Sequence, residues 1–217
     1  MSESSLALRE HFATPLQQRE TASAGMWIFL ATEVMMFGGL FTAYTVYRLS
    51  APQAFNLGSA DMEIVLGAVN TALLICSSFT MALAVHSAEI GKRRLIAVFL
   101  IVTMILGAAF LGIKFTEYYL HYQHHKVPGL WFEDSTPDAA RVQMFFVFYF
   151  IMTGLHSIHM LIGLGLLFVL LVRTLMGTFS AEYHTPIEMV GLYWSFVDIV
   201  WVFLYAILYL PGLHLVK

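Results

Sequence analysis

Polar positions along this chain are sparse and grouped, and the gaps between the groups are long. Mostly apolar runs extend from Gly25 to Arg48, Ile64 to His86, Leu95 to Leu120, Val142 to Val172 and Met189 to Leu210. About 20 such residues wound as an α-helix cross about 30 Å of hydrocarbon, so each run predicts a transmembrane helix. Helix breakers fill the intervals: Pro52 and Gly58, Gly91 ahead of Lys92-Arg93-Arg94, Pro128-Gly129 and Pro137, and Gly177 with Pro186. The expected architecture is all-α, an integral membrane bundle of five transmembrane helices with short loops. Residues 1–24 form a cytoplasmic N-terminal tail, read as a polar extension or interfacial helix, and residues 25–217 form the membrane domain. The tail has no apolar stretch ahead of the first run and does not read as a cleavable signal peptide.

Composition agrees with the pattern. Hydrophobic residues make up 59% of the 217 and charged residues 12%, where a soluble domain carries about a quarter charged. The net charge of −3 comes with no basic cluster long enough to follow a phosphate backbone, which removes nucleic-acid binding. A single cysteine, Cys76, excludes an intrachain disulfide and a cysteine-based metal motif, and its apolar surroundings suggest a small core residue. With five spans, Arg9, Arg19, Lys92, Arg93, Arg94 and Arg173 fall on one side and Arg48, Lys126, Arg141 and Lys217 on the other. The positive-inside rule then places the N-terminus in the cytoplasm and the C-terminus outside. Trp131 and Phe132 suit an interfacial position in the third loop, and Trp27, Trp194 and Trp201 read as belt or interface residues. No internal repeat is visible, which counts against an inverted-repeat transporter.

The ionisable residues inside the runs carry the candidate chemistry. Glu33 lies about 12 Å into the first span and Asp198 about 14 Å into the fifth, counted from the same side. Carboxyls at such depth face protein or pair with something, either as packing devices or as proton-handling groups. His156 and His159 are spaced i, i+3 on one helical face, and His121, His124 and His125 stand together in "HYQHH". The HxxHH and HxxH spacings are those of membrane di-iron enzymes. His156, however, lies about 20 Å below the external end of its span, while the other group follows the external end of the third. Ligands of one metal must each come within about 2.0–2.1 Å of it, so no shared metal site is expected. His156 and His159 read as an intramembrane polar pair hydrogen-bonded to a neighbour, with Glu33 a candidate, and the loop histidines as solvated. Lys114 and Glu117 are i, i+3 and predict a structural ion pair near the external end of the third span. Asn70, Thr71, Ser77 and Ser78, and Gly154, Gly163 and Gly165, mark helix-packing surfaces.

Five stretches in order resemble one family, subunit III of the haem-copper terminal oxidases. "MWIFLATEVMMFGGLFTAY" is similar to the family's W-x-F-x-x-x-E-x-x-x-F-x-G-x-F helix, with Glu33 at the glutamate. "NTALLICSSFTMALAVH", "LGAAFLGIKFTEYY", "TGLHSIHMLIG" and "EMVGLYWSFVDIVWVFLYAILYL" match its later motifs. Ser195 stands where the family usually has histidine, and Lys114 where glutamine is common, a feature of a bacterial subgroup that includes oxidases working with alternative complex III. The chain has five spans where longer members have seven, and the missing two build part of their lipid cleft.

The resemblance implies a bacterial cytochrome c oxidase subunit in the inner membrane. Such a subunit holds no haem or copper itself, since both lie in partner subunits. It packs on subunit I among the other oxidase subunits, supports proton uptake and turnover, and takes phospholipid. It further implies a hypothesis for Glu33, a place inside the bundle beside His156, His159 or Asp198. The other readings are an accessory subunit of a nitric oxide reductase, a stand-alone di-iron oxygenase and a proton-coupled transporter using Glu33 and Asp198.

Overall fold

The computed structural model describes residues 14–129, 132 and 138–212; Trp131, Arg9, Lys217 and the first 13 residues of the tail lie outside them. Helix α1 spans Pro15–Ser50, α2 Pro52–Ala60, α3 Ile64–Glu89, α4 Arg93–Gln123, α5 Ala139–Leu175 and α6 Thr185–Leu208. All but α2 are long and apolar enough to cross a membrane, and the chain is an integral membrane bundle of five transmembrane helices. The first helix starts ahead of the first apolar run because Thr14 caps it: its Oγ1 accepts the Gln17 N–H at 3.2 Å, and Pro15 opens the first turn. The third run also continues past its apolar end, to Gln123.

Helix ends follow from local chemistry. Gly91 and Gly177, at φ +68° and +80°, take the left-handed conformation that ends α3 and α5. His125 does the same beyond α4 at φ +54°, and the Lys126 N–H closes onto the His121 carbonyl at 3.0 Å, so α4 stops before the Pro128-Gly129 breaker is reached. The first loop, where Pro52 and Gly58 read as helix breakers, instead holds the short helix α2, which begins at Pro52, whose missing N–H costs a first turn nothing.

Helices α3, α4, α5 and α6 pack in a closed ring, and α2 lies on α5. Helix α1 is the outlier. It rests mainly on α6, and 11% of its most apolar window is buried against 28% to 44% in the other four spans.

The ring is centred on two tryptophans. Trp194 and Trp201 are fully buried, which corrects their reading as belt residues. The reason is in the neighbouring helices. A Cβ added at Gly107 would lie 2.8 Å from Trp194, and one added at Gly163 2.9 Å, so paired glycines on α4 and α5 open a slot for the indole. Cys76, expected in the core, is exposed; the buried face of α3 runs instead through Asn70, Leu74, Ser77 and Met81. Of the three glycines expected to pack on α5, Gly154 and Gly165 face open space and Gly163 alone is filled.

Candidate functional site

The intramembrane ionisable groups form three polar clusters, and His156 stands apart from them. At the first, Glu33 on α1 meets His159 on α5, with Oε2 3.0 Å from Nε2. The His159 Nδ1 lies 2.8 Å from the Leu155 carbonyl. A carbonyl only accepts, so Nδ1 carries a hydrogen, and one further proton lies between Nε2 and the carboxyl. Whether that proton sits on the ring or on the carboxyl, the pair carries the same single proton and no net charge. Phe37 packs on the imidazole with centroids 5.4 Å apart, and the Tyr193 hydroxyl donates to the His159 carbonyl at 2.9 Å. The second carboxylate oxygen of Glu33 has no hydrogen-bond partner among the described residues, and the side chain is 14% exposed.

At the second place, Asp198 on α6 lies 3.3 Å from the Ser77 hydroxyl of α3, whose one hydrogen it shares with the Leu74 carbonyl at 2.9 Å, and Ser77 in turn accepts the Trp194 indole N–H at 3.1 Å. Three residues further along α6, Trp201 donates to Thr71 at 3.1 Å. Asp198 therefore links α6 to α3, while Glu33 links α1 to α5. Tyr193, which marks the level of His159, precedes Asp198 by five residues, about 7.5 Å along the helix. The two carboxyls belong to different interhelical seams and do not share partners.

His156 joins neither. It is fully buried between Phe110 and Trp201, with centroids 5.4 and 5.3 Å away, and both ring nitrogens lack a hydrogen-bond partner among the described residues.

The third place surrounds Lys114. Its ammonium donates to Glu117 Oε2 at 2.9 Å, to the Tyr149 hydroxyl at 3.0 Å and to the Tyr209 hydroxyl at 2.9 Å, so each of its three hydrogens has an acceptor. Tyr209 closes the ring by donating to Glu117 Oε1 at 2.6 Å. The rings of Tyr118 and Trp201 stand 5.1 and 5.2 Å from the nitrogen, within cation–π range. Sequence reading singled out the Lys114–Glu117 spacing but not the tyrosines. Their signal was a phenol tip inside or just beyond an apolar run, which in a dry bundle needs a polar partner.

His121, expected in a solvated loop, sits in the last turn of α4 and is buried against Phe146, Tyr149 and Phe150; His124 and His125 are exposed. Among the described residues no three His, Cys, Asp or Glu side chains come together to hold a metal ion.

Comparison with known proteins identifies this arrangement of spans and motifs. Residues 8–213 match the family model for cytochrome c oxidase subunit III. The chain is 30% identical over 189 residues to quinol oxidase subunit 3 of Bacillus subtilis, covering 87% of this chain and 86% of that one. It is 32% identical over 194 residues to a probable cytochrome c oxidase subunit 3 of Nocardia farcinica, covering 89% and 90%. Against cytochrome c oxidase subunit 3 of Latimeria chalumnae it is 31% identical over 212 residues, covering 93% and 73%. The chain therefore belongs to the cytochrome c oxidase subunit III family and is a subunit III of a haem-copper oxidase.

Proposed function

We propose that this chain is the metal-free third subunit of a bacterial oxidase that reduces oxygen and pumps protons, and that it packs on subunit I, stabilises it and supports its proton uptake. The Glu33–His159 pair carries the reading: one proton is held near mid-membrane by the helix that the rest of the chain covers least. Asp198 and His156 are further intramembrane groups of the same class, and Lys114–Glu117 is a structural ion pair. Residues 1–24 lie on the cytoplasmic side, with residues 15–24 continuing α1 out of the membrane, and the C-terminus is external. The lysine at position 114 supports a place beside alternative complex III. A groove of about 530 Å³ between α1, α3 and α6, with Arg19 at one end and Ala82, Leu192 and Ser195 along its walls, suits a phospholipid.

Purification of the tagged chain from its native membrane tests this. Haem in fixed ratio to the chain, with oxygen-reductase band positions in the reduced-minus-oxidised spectrum, is the expected result. A stable chain free of haem would overturn the reading, and nitric-oxide-reductase bands would reassign the partner. Glu33→Gln is expected to assemble and to show altered turnover across pH; turnover equal to wild type at every pH would remove the role of its proton.

A further inference from the structure

Glu33 and His159 meet although the helices that carry them hardly touch. Helix α1 rests mainly on α6, α6 packs against α5, and direct contact between α1 and α5 is slight. The 3.0 Å between Glu33 Oε2 and His159 Nε2 is therefore set mainly through α6, and one buried α6 side chain, Tyr193, reaches both of the other helices. Toward α1 its ring packs on Phe29, one turn before Glu33, with centroids 6.1 Å apart. Toward α5 its hydroxyl donates to the His159 carbonyl at 2.9 Å. Its ring also lies over Gly163, one turn further along α5, where an added Cβ would stand 3.3 Å from Cε1.

The imidazole takes its orientation from its own helix. Nδ1 donates to the Leu155 carbonyl at 2.8 Å, which leaves Nε2 as the ring nitrogen turned to α1. That bond does not fix where the α5 backbone stands relative to α1. A helical carbonyl has a second lone pair beyond the one its own helix uses, and at His159 Tyr193 occupies it. Good N–H···O bonds span only about 2.7 to 3.2 Å, so a shift of about 0.5 Å in either helix is enough to open the pair. We infer that Tyr193 is the positioning residue of the Glu33–His159 pair: its hydroxyl holds α5 at His159, its ring spaces α1 at Phe29, and the pair closes where the two meet.

The inference takes the importance of the pair from the proposed function, but its test reads the geometry of the pair and not turnover. Tyr193→Phe removes the hydroxyl alone, and p-aminophenylalanine at position 193 puts a donor back. Tyr44→Phe is the control: the Tyr44 hydroxyl also ties two helices through a main-chain carbonyl, that of Ile207 at 2.8 Å, but about 16 Å along α1 from Glu33. Nitrogen-15 spectra of labelled histidine, taken on the full-length chain in lipid with the subunits it brings, report whether His159 Nε2 is hydrogen-bonded, with Glu33→Leu as the reference for an unpaired ring. The ratio of paired to unpaired His159 should fall about threefold or more in Tyr193→Phe, the weight of one neutral hydrogen bond. It should recover with p-aminophenylalanine and stay at the wild-type value in Tyr44→Phe. A ratio unchanged in Tyr193→Phe, no recovery with the restored donor, or an equal fall in Tyr44→Phe would overturn the positioning role. Failure of the proposed function is read separately, from Glu33→Gln turnover equal to wild type at every pH.

Discussion

Lys114 and Glu117 form a fully buried ion pair, Nζ to Oε2 2.9 Å, with each side chain 1% exposed, and Tyr209 ties both to the end of α6. Removing one member of such a pair leaves a charge without a partner and costs about 3–5 kcal/mol, while replacing both by apolar residues costs far less. Lys114→Met is therefore expected to lower stability by about that amount, and Lys114→Met combined with Glu117→Met to recover most of it. Denaturant titration of the purified subunit or complex measures both. A double variant as unstable as the single would show that the tyrosines, not the charges, hold this end of the bundle.

Trp194 lies in a slot between two glycines, and its tolerance of extra volume is small. Gly107→Ala and Gly163→Ala each place a methyl within 3 Å of the indole, an overpacking expected to cost about 1–3 kcal/mol. Gly165→Ala enters open space and should be neutral or stabilise by up to about 1 kcal/mol through helix propensity. Thermal unfolding in detergent should separate the two classes.

The helices were legible because hydrocarbon demands long apolar runs, and the ionisable residues were conspicuous because few interrupt those runs. Which of them would meet was not. His156 and His159 lie a turn apart, and only the rotation of α5 about its axis, set by how Gly163 receives Trp194, turns His159 to α1 and His156 to the interior. Residue type misled at Trp194 and Trp201, since amphipathic rings suit an interface when nothing else is known; the glycines opposite them were the missing signal. On α3 the buried face includes Asn70 and Ser77 while Cys76 and Phe79 face outward. In a membrane the outside is as apolar as the core, so hydrophobicity does not tell one face from the other.

The Glu33–His159 hydrogen bond should survive loss of the carboxyl but not loss of the polar group. An imidazole with its hydrogen on Nδ1 offers Nε2 as acceptor, and the amide of Glu33→Gln can donate to it. That variant should lose well under about 1 kcal/mol, whereas Glu33→Leu strands Nε2 and should cost about 1–3 kcal/mol, felt as looser docking of α1. Nitrogen-15 spectra of labelled histidine should show Nδ1 protonated in wild type and in Glu33→Gln. A neutral ring protonated on Nε2 in wild type would contradict the hydrogen-bond assignment.

The ion pair at the other end of α1 is of a different kind. Arg19 lies 2.7 Å from Glu188 at the start of α6, but its side chain is 55% exposed. Exposed pairs contribute about 0.2–1 kcal/mol, because water screens the charges and the long side chain loses freedom. Glu188 Oε1 also lies 3.1 Å from His184 Nε2, and Glu188 is in the first turn of α6, where a negative charge complements the helix dipole. Arg19→Ala should thus lower stability by less than about 1 kcal/mol, and the difference from wild type should vanish at about 1 M salt, where the Debye length falls to about 3 Å. Glu188→Ala loses both partners and the dipole contribution, so its effect should be the larger and should persist in salt. An Arg19→Ala loss of several kcal/mol that salt leaves unchanged would mean that α1 is held to α6 mainly through this pair, and the apolar contact between the two helices would then count for little.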